Sequence, residues 1–361
     1  HNIPYKWFQV FPVFLLPLSV VLLALVMMME RINGAARWMT FMGVQFQPSE
    51  VAKMAVIIVT AFILSKGQDE DGASPKAFKR IMIITGIICL LIAPENLSTA
   101  ALLFGVVYLM MFIGRVAMKK LLILAGGLAG VAIIGVTFLV LTKNSDLPFL
   151  HRFDTWRARI EKFTNDNEVP AAKFDIDKDA QIAHARIAVA TSHVVGKGPG
   201  NSVQRDFLSQ AFSDFIFAII IEELGLIGGA FVVFLYVCLL IRVGRIAKKC
   251  ERTFPAFLII GIALLLVSQA IFNMMVAVGL APVTGQPLPL ISKGGTSTLI
   301  NCAYIGMILS VSRYTARLEE QKEHDALIPM QVEVPAEETN SDAQTAAEPT
   351  AKVLNSDAEF E

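Results

Sequence analysis

Charged residues are scarce in this chain, and cysteines are scarcer still. Asp, Glu, Lys and Arg make up 17% of its 361 residues, against roughly 25% in soluble domains. The four cysteines lie in or beside apolar segments with no paired spacing, which indicates packing residues and neither a disulfide framework nor a metal site. They are Cys89, Cys238, Cys250 and Cys302.

Nucleotide-binding and metal-binding patterns are also missing. The sequence has no internal repeat, no phosphate-binding P-loop and no dinucleotide fingerprint, which argues against a nucleotide-driven pump. His151, His184 and His193 fall in one polar segment without the spacing of metal ligands. We therefore expect no protein-bound metal centre built from histidine.

Long apolar runs dominate what is present. The chain is 55% hydrophobic with a mean hydropathy of +0.59, and a membrane-spanning helix needs about 20 apolar residues. The pattern predicts an all-α polytopic membrane protein with eight transmembrane helices. The predicted segments are residues 11–29, 51–65, 81–93, 97–114, 121–141, 215–241, 257–280 and 299–311.

The connections between these runs alternate between strongly basic and weakly charged. The basic set contains residues 66–80, 115–120 and 242–252, and this excess of Lys and Arg predicts that they face the cytoplasm. Residues 142–213 then lie outside as one large loop. Helical spacing of apolar residues over 180–195 predicts an amphipathic helix within it, lying on the membrane surface.

The zero net charge conceals an acidic C-terminal segment. Residues 314–361 carry twelve acidic residues against three basic ones, so they hold a charge of −9 and the remainder holds +9. This segment is poor in aromatic residues, which predicts a disordered cytoplasmic tail. We therefore expect a transmembrane domain over residues 1–313, with its outer loop at 142–213, followed by a tail at 314–361.

Asp214 is the strongest candidate for chemistry. It lies where the Gly/Pro-rich polar stretch beginning at Gly196 becomes an apolar helix, with Glu222 and Glu223 two turns further along if that helix is continuous. A carboxylate entering hydrocarbon needs a function or a partner. Capping the helix, acting as a general base with a raised pKa and relaying protons in a transporter all fit these residues.

Two other groups of charged residues have both structural and functional interpretations. Glu50 and Lys53 are spaced to pair on one helix face, or Lys53 faces inward and meets an anionic lipid head group. Arg152 belongs to an arginine cluster around Trp156 that either binds phosphate or forms a solvated helix face.

Two connecting segments are candidates for helix caps or ligand contacts. Asn96 suits the N-cap of the following helix. In the Pro/Gly-rich segment 284–298, Lys293, Gly294 and Gly295 precede a helix. Such an arrangement can cradle a pyrophosphate or form an ordinary re-entrant connection.

Three stretches resemble one known family. They are NGAARWMTFMGVQFQPSEVAK at 33–53, GKGPGNSVQRDFLSQAFSDFIFAIIIEELG at 196–225 and TGQPLPLISKGGTS at 284–297. In this order they resemble the SEDS proteins (shape, elongation, division and sporulation), over roughly residues 33–313. The GNSVQ at 200–204 favours the division-type FtsW branch over the elongation-type RodA.

The resemblance implies a fold and an activity. The family has ten transmembrane helices, so we expect the first two to be absent from this chain, which does not begin with Met. Its members polymerise lipid II into peptidoglycan glycan strands. The family's essential aspartate falls on Asp214, which is expected to act as general base on the 4-hydroxyl of the acceptor GlcNAc. Undecaprenyl pyrophosphate leaves the donor MurNAc with inversion from α to β.

The resemblance also implies a set of substrate contacts and partners. Arg37, Lys53, Arg152 and Lys293 are candidates for stabilising the leaving group, a role that a divalent cation (Mg²⁺ or Mn²⁺) could share. The expected partners are lipid II, a class B penicillin-binding protein, other divisome proteins and membrane lipid, at the septal inner membrane and without nucleic acid. The full set of expected substrate contacts is Arg37, Glu50, Lys53, Arg152, Asn201, Gln204, Glu222, Glu223, Ser292, Lys293, Gly294 and Gly295.

The chain departs from the family pattern at three places. Phe212 and Ser213 replace the usual His-Thr before the aspartate, Asn96 replaces an aspartate, and Lys293 replaces a tyrosine. Asp214 must therefore work without a histidine at position 212. Two alternatives to the polymerase stay open at this point, a lipid II flippase and a non-catalytic divisome scaffold.

Overall fold

The computed structural model describes residues 1–28, 39–41, 44–69, 72–141, 176–208 and 211–332. Helices account for most of these residues. They are α1 (Phe11–Met27), α2 (Pro48–Lys66), α3 (Pro75–Ile92), α4 (Leu97–Ile113), α5 (Met118–Leu141), α6 (Ile176–Thr191), α7 (Ile216–Lys249), α8 (Thr253–Ala277) and α9 (Gly295–Val332), with short 3₁₀ turns at Tyr5–Gln9 and Gln204–Phe207.

Two short antiparallel hairpins complete the secondary structure of the described ranges. Strand β1 (Met39–Phe41) pairs with β2 (Val44–Phe46), and β3 (Gln68–Asp69) pairs with β4 (Gly72–Ala73). Met39 lies opposite Phe46, and Gln68 lies opposite Ala73. Both hairpins connect helices and take no part in a larger sheet.

The predicted helical membrane architecture is confirmed in its coarse form. Within the described residues, five helices are long and apolar enough to cross a membrane, and two shorter apolar helices accompany them at Phe11–Met27 and Leu97–Ile113. Each predicted apolar run coincides with a helix, while the count of eight spans stays a prediction. The five are Pro48–Lys66, Met118–Gly135, Ile216–Lys249, Thr253–Ala277 and Gly295–Asp325.

Local chemistry explains where several of these helices begin. Helices α2 and α3 start at a proline, a residue that suits the first turn because its missing N–H is not needed there. The Ser74 hydroxyl accepts a hydrogen bond from Ala77 N at 3.3 Å. Asn96 Oδ1 accepts one from Thr99 N at 3.2 Å, so the predicted capping of α4 by Asn96 is confirmed.

The apolar core is shared mainly by α2, α4 and α8. Ile57, Leu103 and Leu258 are completely enclosed within it. Gly261 lets α8 approach the other two helices closely, because a Cβ at this position would lie 2.6 Å from Met110 and 3.0 Å from Ile57. Small residues of this kind allow membrane helices to pack tightly.

The connections predicted to face the cytoplasm do meet at one end of this bundle. Ala73 N donates to Arg115 O at 3.1 Å, Gln68 Nε2 donates to Gly114 O at 2.8 Å, and Thr253 Oγ1 donates to Ser65 O at 3.4 Å. Since α2, α4 and α8 each have one end here, their other ends gather at the opposite side. That opposite side carries the candidate functional residues.

Helix α7 is broken at Gly225. This residue has φ 72° and ψ −173°, a backbone conformation that is essentially restricted to glycine. The helix begins at Ile216, after Asp214, and consists of two segments at 216–224 and 226–249. Because Asp214 precedes the first residue of the helix, it does not share one continuous helix with Glu222 and Glu223.

The gap in α7 is filled by the preceding loop. Leu226 N and Ile227 N donate to the carbonyls of His193 and Val194 at 3.2 and 3.3 Å. In return, Lys197 N and Gly198 N donate to the carbonyls of residues 222 and 223, both at 2.9 Å. The backbone groups that a broken helix would leave unsatisfied are thus paired, as a buried backbone requires.

The chain divides into two units, His1–Arg317 and Leu318–Glu361. Of the second unit, the structure describes residues 318–332, which continue α9 as a helix. The predicted tail therefore begins as helix, and its predicted disorder concerns residues 333–361, which lie outside the described residues.

The four cysteines are free thiols, three of them half-buried and Cys302 exposed. Burial raises the pKa of Cys250 to about 11, so this thiol stays protonated at neutral pH and behaves as a small packing residue.

Candidate functional site

Asp214 lies in a turn that leads into α7. Its side chain is half-buried, and the Ser213 hydroxyl donates to its Oδ1 at 2.9 Å. The N-cap position of α7 belongs to Phe215, which makes no side-chain capping hydrogen bond. The predicted alternative that the Asp214 carboxylate caps the helix is therefore wrong.

Three successive backbone carbonyls of this turn accept hydrogen bonds from distant parts of the chain. Phe212 O accepts from Lys293 N at 2.8 Å, and Ser213 O accepts from the Ser292 hydroxyl at 2.6 Å. Asp214 O accepts from Asn273 Nδ2 at 2.8 Å. The turn is consequently fixed to α8 and to the loop that precedes α9.

That loop, residues 281–294, is itself held at several points. Gln286 Nε2 donates to Thr99 Oγ1 at 2.5 Å, Gln269 Nε2 donates to Pro287 O at 3.0 Å, and the buried Tyr236 hydroxyl donates to Pro289 O. Leu290 adopts φ 68°, which is strained for a residue with a Cβ. The surrounding bonds stabilise this strained conformation.

Glu50 and Lys53 form a buried ion pair on α2. Lys53 is 1% exposed, and its Nζ lies 2.8 Å from Glu50 Oε1. Lys53 also donates to Gln269 Oε1 at 3.0 Å. The predicted local pairing is therefore confirmed and the lysine does face inward, but its charge is already neutralised within the chain.

Glu222 is completely enclosed by the outer loop. Its Oε1 accepts from Lys197 Nζ at 2.5 Å and from Val203 N at 3.2 Å. Its Oε2 accepts from the Ser202 hydroxyl at 2.5 Å and from Gln204 N at 3.3 Å. A carboxylate offers about four acceptor positions, and all four are used here. Glu222 therefore fixes the loop to α7, and this geometry offers no direct contact with substrate, contrary to the role expected of it.

The remaining predicted residues on the outer loop are more accessible. Asn201 is exposed and donates to Lys197 O at 3.1 Å. Gln204 Oε1 accepts from His184 Nδ1 at 2.6 Å, and the His184 ring stacks on Phe207 with 5.1 Å between centroids. Within the described part of the chain, the half-buried Glu223 side chain has no hydrogen-bond or ion-pair partner.

The structure brings some predicted site residues together and separates others. Ser292 and Lys293 meet the Asp214 turn directly, and the Lys293 side chain is exposed. Gly294 and Gly295 lead into α9 beside them. In the ranges that the structure describes, Glu50 and Lys53 reach the same loop through Gln269. Arg37 and Arg152 lie outside the described residues.

Sequence reasoning missed the polar residues of α8. Gln269 and Asn273 are 3% and 1% exposed, and each bonds the loop before α9. They are four residues apart in an apolar run and therefore share one helix face. Two amides on one face of an apolar helix predict a polar partner for that face.

The same end of the bundle also has a small apolar cleft between α1, α2 and α3. Leu23, Leu91 and Ile92 contribute apolar side chains to it, and Gln47 and Asn96 contribute amides. Within the described residues, no group of three or more His, Cys, Asp or Glu side chains could hold a metal ion. The divalent cation stays a prediction for which these ranges offer no ligand cluster.

Comparison with known proteins identifies the family. A family model described as cell cycle protein, named for FtsW, RodA and SpoVE, matches residues 1–317. The chain belongs to this family. The resemblance to SEDS proteins is thereby confirmed.

Curated relatives agree with this assignment. The chain is 34% identical over 282 residues to a probable peptidoglycan glycosyltransferase FtsW of Geobacter sp. (strain M18), covering 78% of this chain and 72% of the relative. It is 32% identical over 330 residues to a protein of the same name from Halomonas elongata, covering 89% and 78%. The expected similarity to division-type members is therefore confirmed.

Solved structures share the fold. A chain from a peptidoglycan synthase complex, studied for the coordination of polymerization and crosslinking, matches with a TM-score of 0.68 and 25% identity, over 87% of this chain and 84% of the other. The crystal structure of the rod shape determining protein RodA of Thermus thermophilus matches with a TM-score of 0.59 and 23% identity, over 86% and 80%. The second likeness concerns the fold alone.

Proposed function

We propose that this chain is a peptidoglycan glycosyltransferase that polymerises lipid II and releases undecaprenyl pyrophosphate. The observation that carries the proposal is a half-buried aspartate on a turn whose backbone is fixed by hydrogen bonds from α8 and the 281–294 loop. Relatives of the same family named as peptidoglycan glycosyltransferases support it. A carboxylate on a turn with a fixed backbone, at one end of a helical bundle, suits chemistry on a lipid-linked substrate outside the membrane.

Asp214 acts as the general base in this mechanism. Its carboxylate takes the proton from the 4-hydroxyl of the acceptor GlcNAc as that oxygen forms a bond to the anomeric carbon of the donor MurNAc. The bond from that carbon to the pyrophosphate oxygen breaks at the same time, and the pyrophosphate keeps the electron pair. Attack from the face opposite the leaving group inverts α to β, and the base contributes about 10²–10⁴-fold to the rate.

Lys293 is the described residue best suited to the leaving group. Its side chain is exposed, and its backbone N–H is fixed to the turn that carries Asp214. The ammonium of Lys53 is already paired with Glu50, so it adds little net positive charge. Preorganised positive charge at a developing pyrophosphate lowers the barrier. No step of this mechanism is routed through a divalent cation.

The proposal includes a membrane arrangement and a partner. Helices α1–α5 and α7–α9 form eight membrane crossings, with the basic connections in the cytoplasm and the Asp214 turn outside. The protein works in the bacterial inner membrane at the division septum, with a class B penicillin-binding protein that cross-links the new strands. The similarity to a chain solved within a peptidoglycan synthase complex supports such a partnership.

One reconstitution tests the proposal. Purified chain and its transpeptidase partner are given lipid II, and glycan strands are resolved on a gel beside the Asp214→Ala variant. We expect strands from the wild type and none from the variant. Strands undiminished by Asp214→Ala would reject the general base. Movement of lipid II across vesicles without polymer would favour a flippase, and normal septa in cells carrying the variant would favour a scaffold.

A further inference from the structure

The turn that carries Asp214 is held through its backbone by two side chains from other elements. Asn273 donates to Asp214 O at 2.8 Å, and Ser292 donates to Ser213 O at 2.6 Å. Both side chains are buried, at 1% and 9% exposure. Two adjacent carbonyls of one turn are thus fixed by donors that lie 59 and 79 residues further along the chain.

The NH₂ group of Asn273 is fully committed to this task. The same nitrogen that contacts Asp214 O also contacts Gln286 O at 2.7 Å. Carbonyl oxygens only accept hydrogen bonds, so the atom between them must be the NH₂ group, and both of its hydrogens are used. Asn273 therefore ties the Asp214 turn and the 281–294 loop to the same point of α8.

The hydroxyl of Ser292 links the same two elements from the other side. It donates to Ser213 O and accepts from Leu288 N at 2.7 Å. The neighbouring backbone N–H of Lys293 adds a third bond, to Phe212 O. The loop and the turn are consequently one hydrogen-bonded unit around Asp214.

We propose that Asn273 and Ser292 are positioning residues that set the place of the Asp214 carboxylate during glycan polymerisation. This inference rests on the proposed function, in which Asp214 is the general base. A base must lie about 2.6–3.2 Å from the hydroxyl it deprotonates, and a displacement of about 1 Å can lower the rate about 10²-fold. Because both side chains bond backbone groups of the turn and the loop, we expect their removal to change kcat more than KM.

The test compares variants that remove these donors with a matched control. Asn273→Asp keeps the side-chain shape but turns an oxygen toward two carbonyl oxygens, and Ser292→Ala removes one hydroxyl. Ser310→Ala is the control, because Ser310 is 5% exposed and donates to Ile3 O at the same 2.6 Å, at a position that takes no part in the site. Initial rates of lipid II polymerisation with the transpeptidase partner give kcat and KM for each.

We expect Asn273→Asp to lower kcat about 10–100-fold and Ser292→Ala about 10-fold, each with KM within about 3-fold of the wild type. Ser310→Ala should stay within about 2-fold. The acidic limb of the kcat–pH profile should move in Asn273→Asp, because the carboxylate enters a different environment. A merely structural defect would reduce the amount of active enzyme without moving that limb.

Hydrogen exchange provides a readout that does not need activity. The Lys293 amide donates to Phe212 O, so peptides covering residues 286–296 should exchange faster in Asn273→Asp and Ser292→Ala than in Ser310→Ala. If Asn273→Asp does not fold, the kinetic and the hydrogen-exchange measurements are made on the milder Ser292→Ala variant. Unchanged exchange in these peptides would overturn the proposal.

The outcomes separate this inference from the proposed function. Strands that persist in Asp214→Asn reject Asp214 as the base, and the positioning role is rejected with it. Strands lost in Asp214→Asn but formed at the control rate by Asn273→Asp and Ser292→Ala overturn the positioning role alone.

Discussion

Asp214 and Glu222 lie eight residues apart, just before α7 and in its first segment, and their carboxylates have different surroundings. Glu222 is completely enclosed and accepts four hydrogen bonds, including one from Lys197. Asp214 is half-buried. Its backbone carbonyl, and not its carboxylate, accepts the hydrogen bond from Asn273 of α8. A carboxylate with every acceptor position occupied stabilises a loop. Under the proposed function, the Asp214 carboxylate on its fixed turn accepts the proton of a substrate hydroxyl.

The largest expected difference between the two carboxylates is in the rate of polymerisation after each is replaced by its amide. Asp214→Asn should lower the initial rate of lipid II polymerisation by about 10²–10⁴-fold, because an amide cannot accept the proton. The melting temperature of the purified variant should change by no more than about 1 °C. A large fall in melting temperature would mean that Asp214, like Glu222, serves mainly to hold the fold.

The next largest effect should be a loss of stability at the break in α7, three residues after Glu222. Gly225→Ala should destabilise the protein by about 3 kcal/mol or more, because the residue has positive φ and a Cβ would lie 2.2 Å from Val194 O. Gly244→Ala on the same helix is the control, since a Cβ there meets no atom within 4 Å. It should be neutral or stabilising by up to about 1 kcal/mol. Equal denaturation midpoints for the two variants would show that the break tolerates a side chain.

Removing the charge of Glu222 should cost less. Glu222→Gln places an NH₂ group against two of its four donors, and we expect a loss of about 2–3 kcal/mol. Lys197 is 30% exposed, so water screens part of this loss. Glu223→Gln is the matched control and should leave the melting temperature unchanged. Faster hydrogen exchange over residues 197–204 should accompany Glu222→Gln alone, and its absence would contradict the anchoring role.

The smallest loss of stability should come from Lys197, the partner of Glu222 in the ion pair. Lys197→Gln should destabilise by about 1 kcal/mol, because the ammonium is partly solvated and three donors to Glu222 remain. Melting curves at low and high salt measure this, since the loss should shrink as salt screens the pair. A salt-independent loss would indicate that Lys197 contributes by packing.

Much of the helical architecture could be predicted because apolar runs are a local property. The capping of α4 by Asn96 and the pairing of Glu50 with Lys53 follow from spacings of three residues. The break at Gly225 could not be predicted, because Gly228 and Gly229 follow closely and remain helical. Only the approach of the Val194 carbonyl distinguishes Gly225 from them.

The sequence singles out Asp214 as a candidate but does not predict the residues that hold its turn. Asp214 stands out because it lies at the boundary between a polar and an apolar stretch. The partners of its turn, Asn273 and Ser292, are 59 and 79 residues away, and such pairings are set by tertiary packing. Likewise, three carboxylates in one stretch are visible in the sequence, but only folding determines that Glu222 is the enclosed one.

The break at Gly225 also limits the apolar length that follows it in α7. Residues 226–241 lie between the break and the basic residues that begin at Arg242, and at about 1.5 Å per residue they are about 24 Å long. The hydrocarbon layer of a typical membrane is about 30 Å thick, so these residues alone are too short to cross it. A crossing by α7 therefore also uses part of the segment 216–224 or the aliphatic stems of the first basic side chains. The Glu222–Lys197 pair then lies close to the boundary of the hydrocarbon.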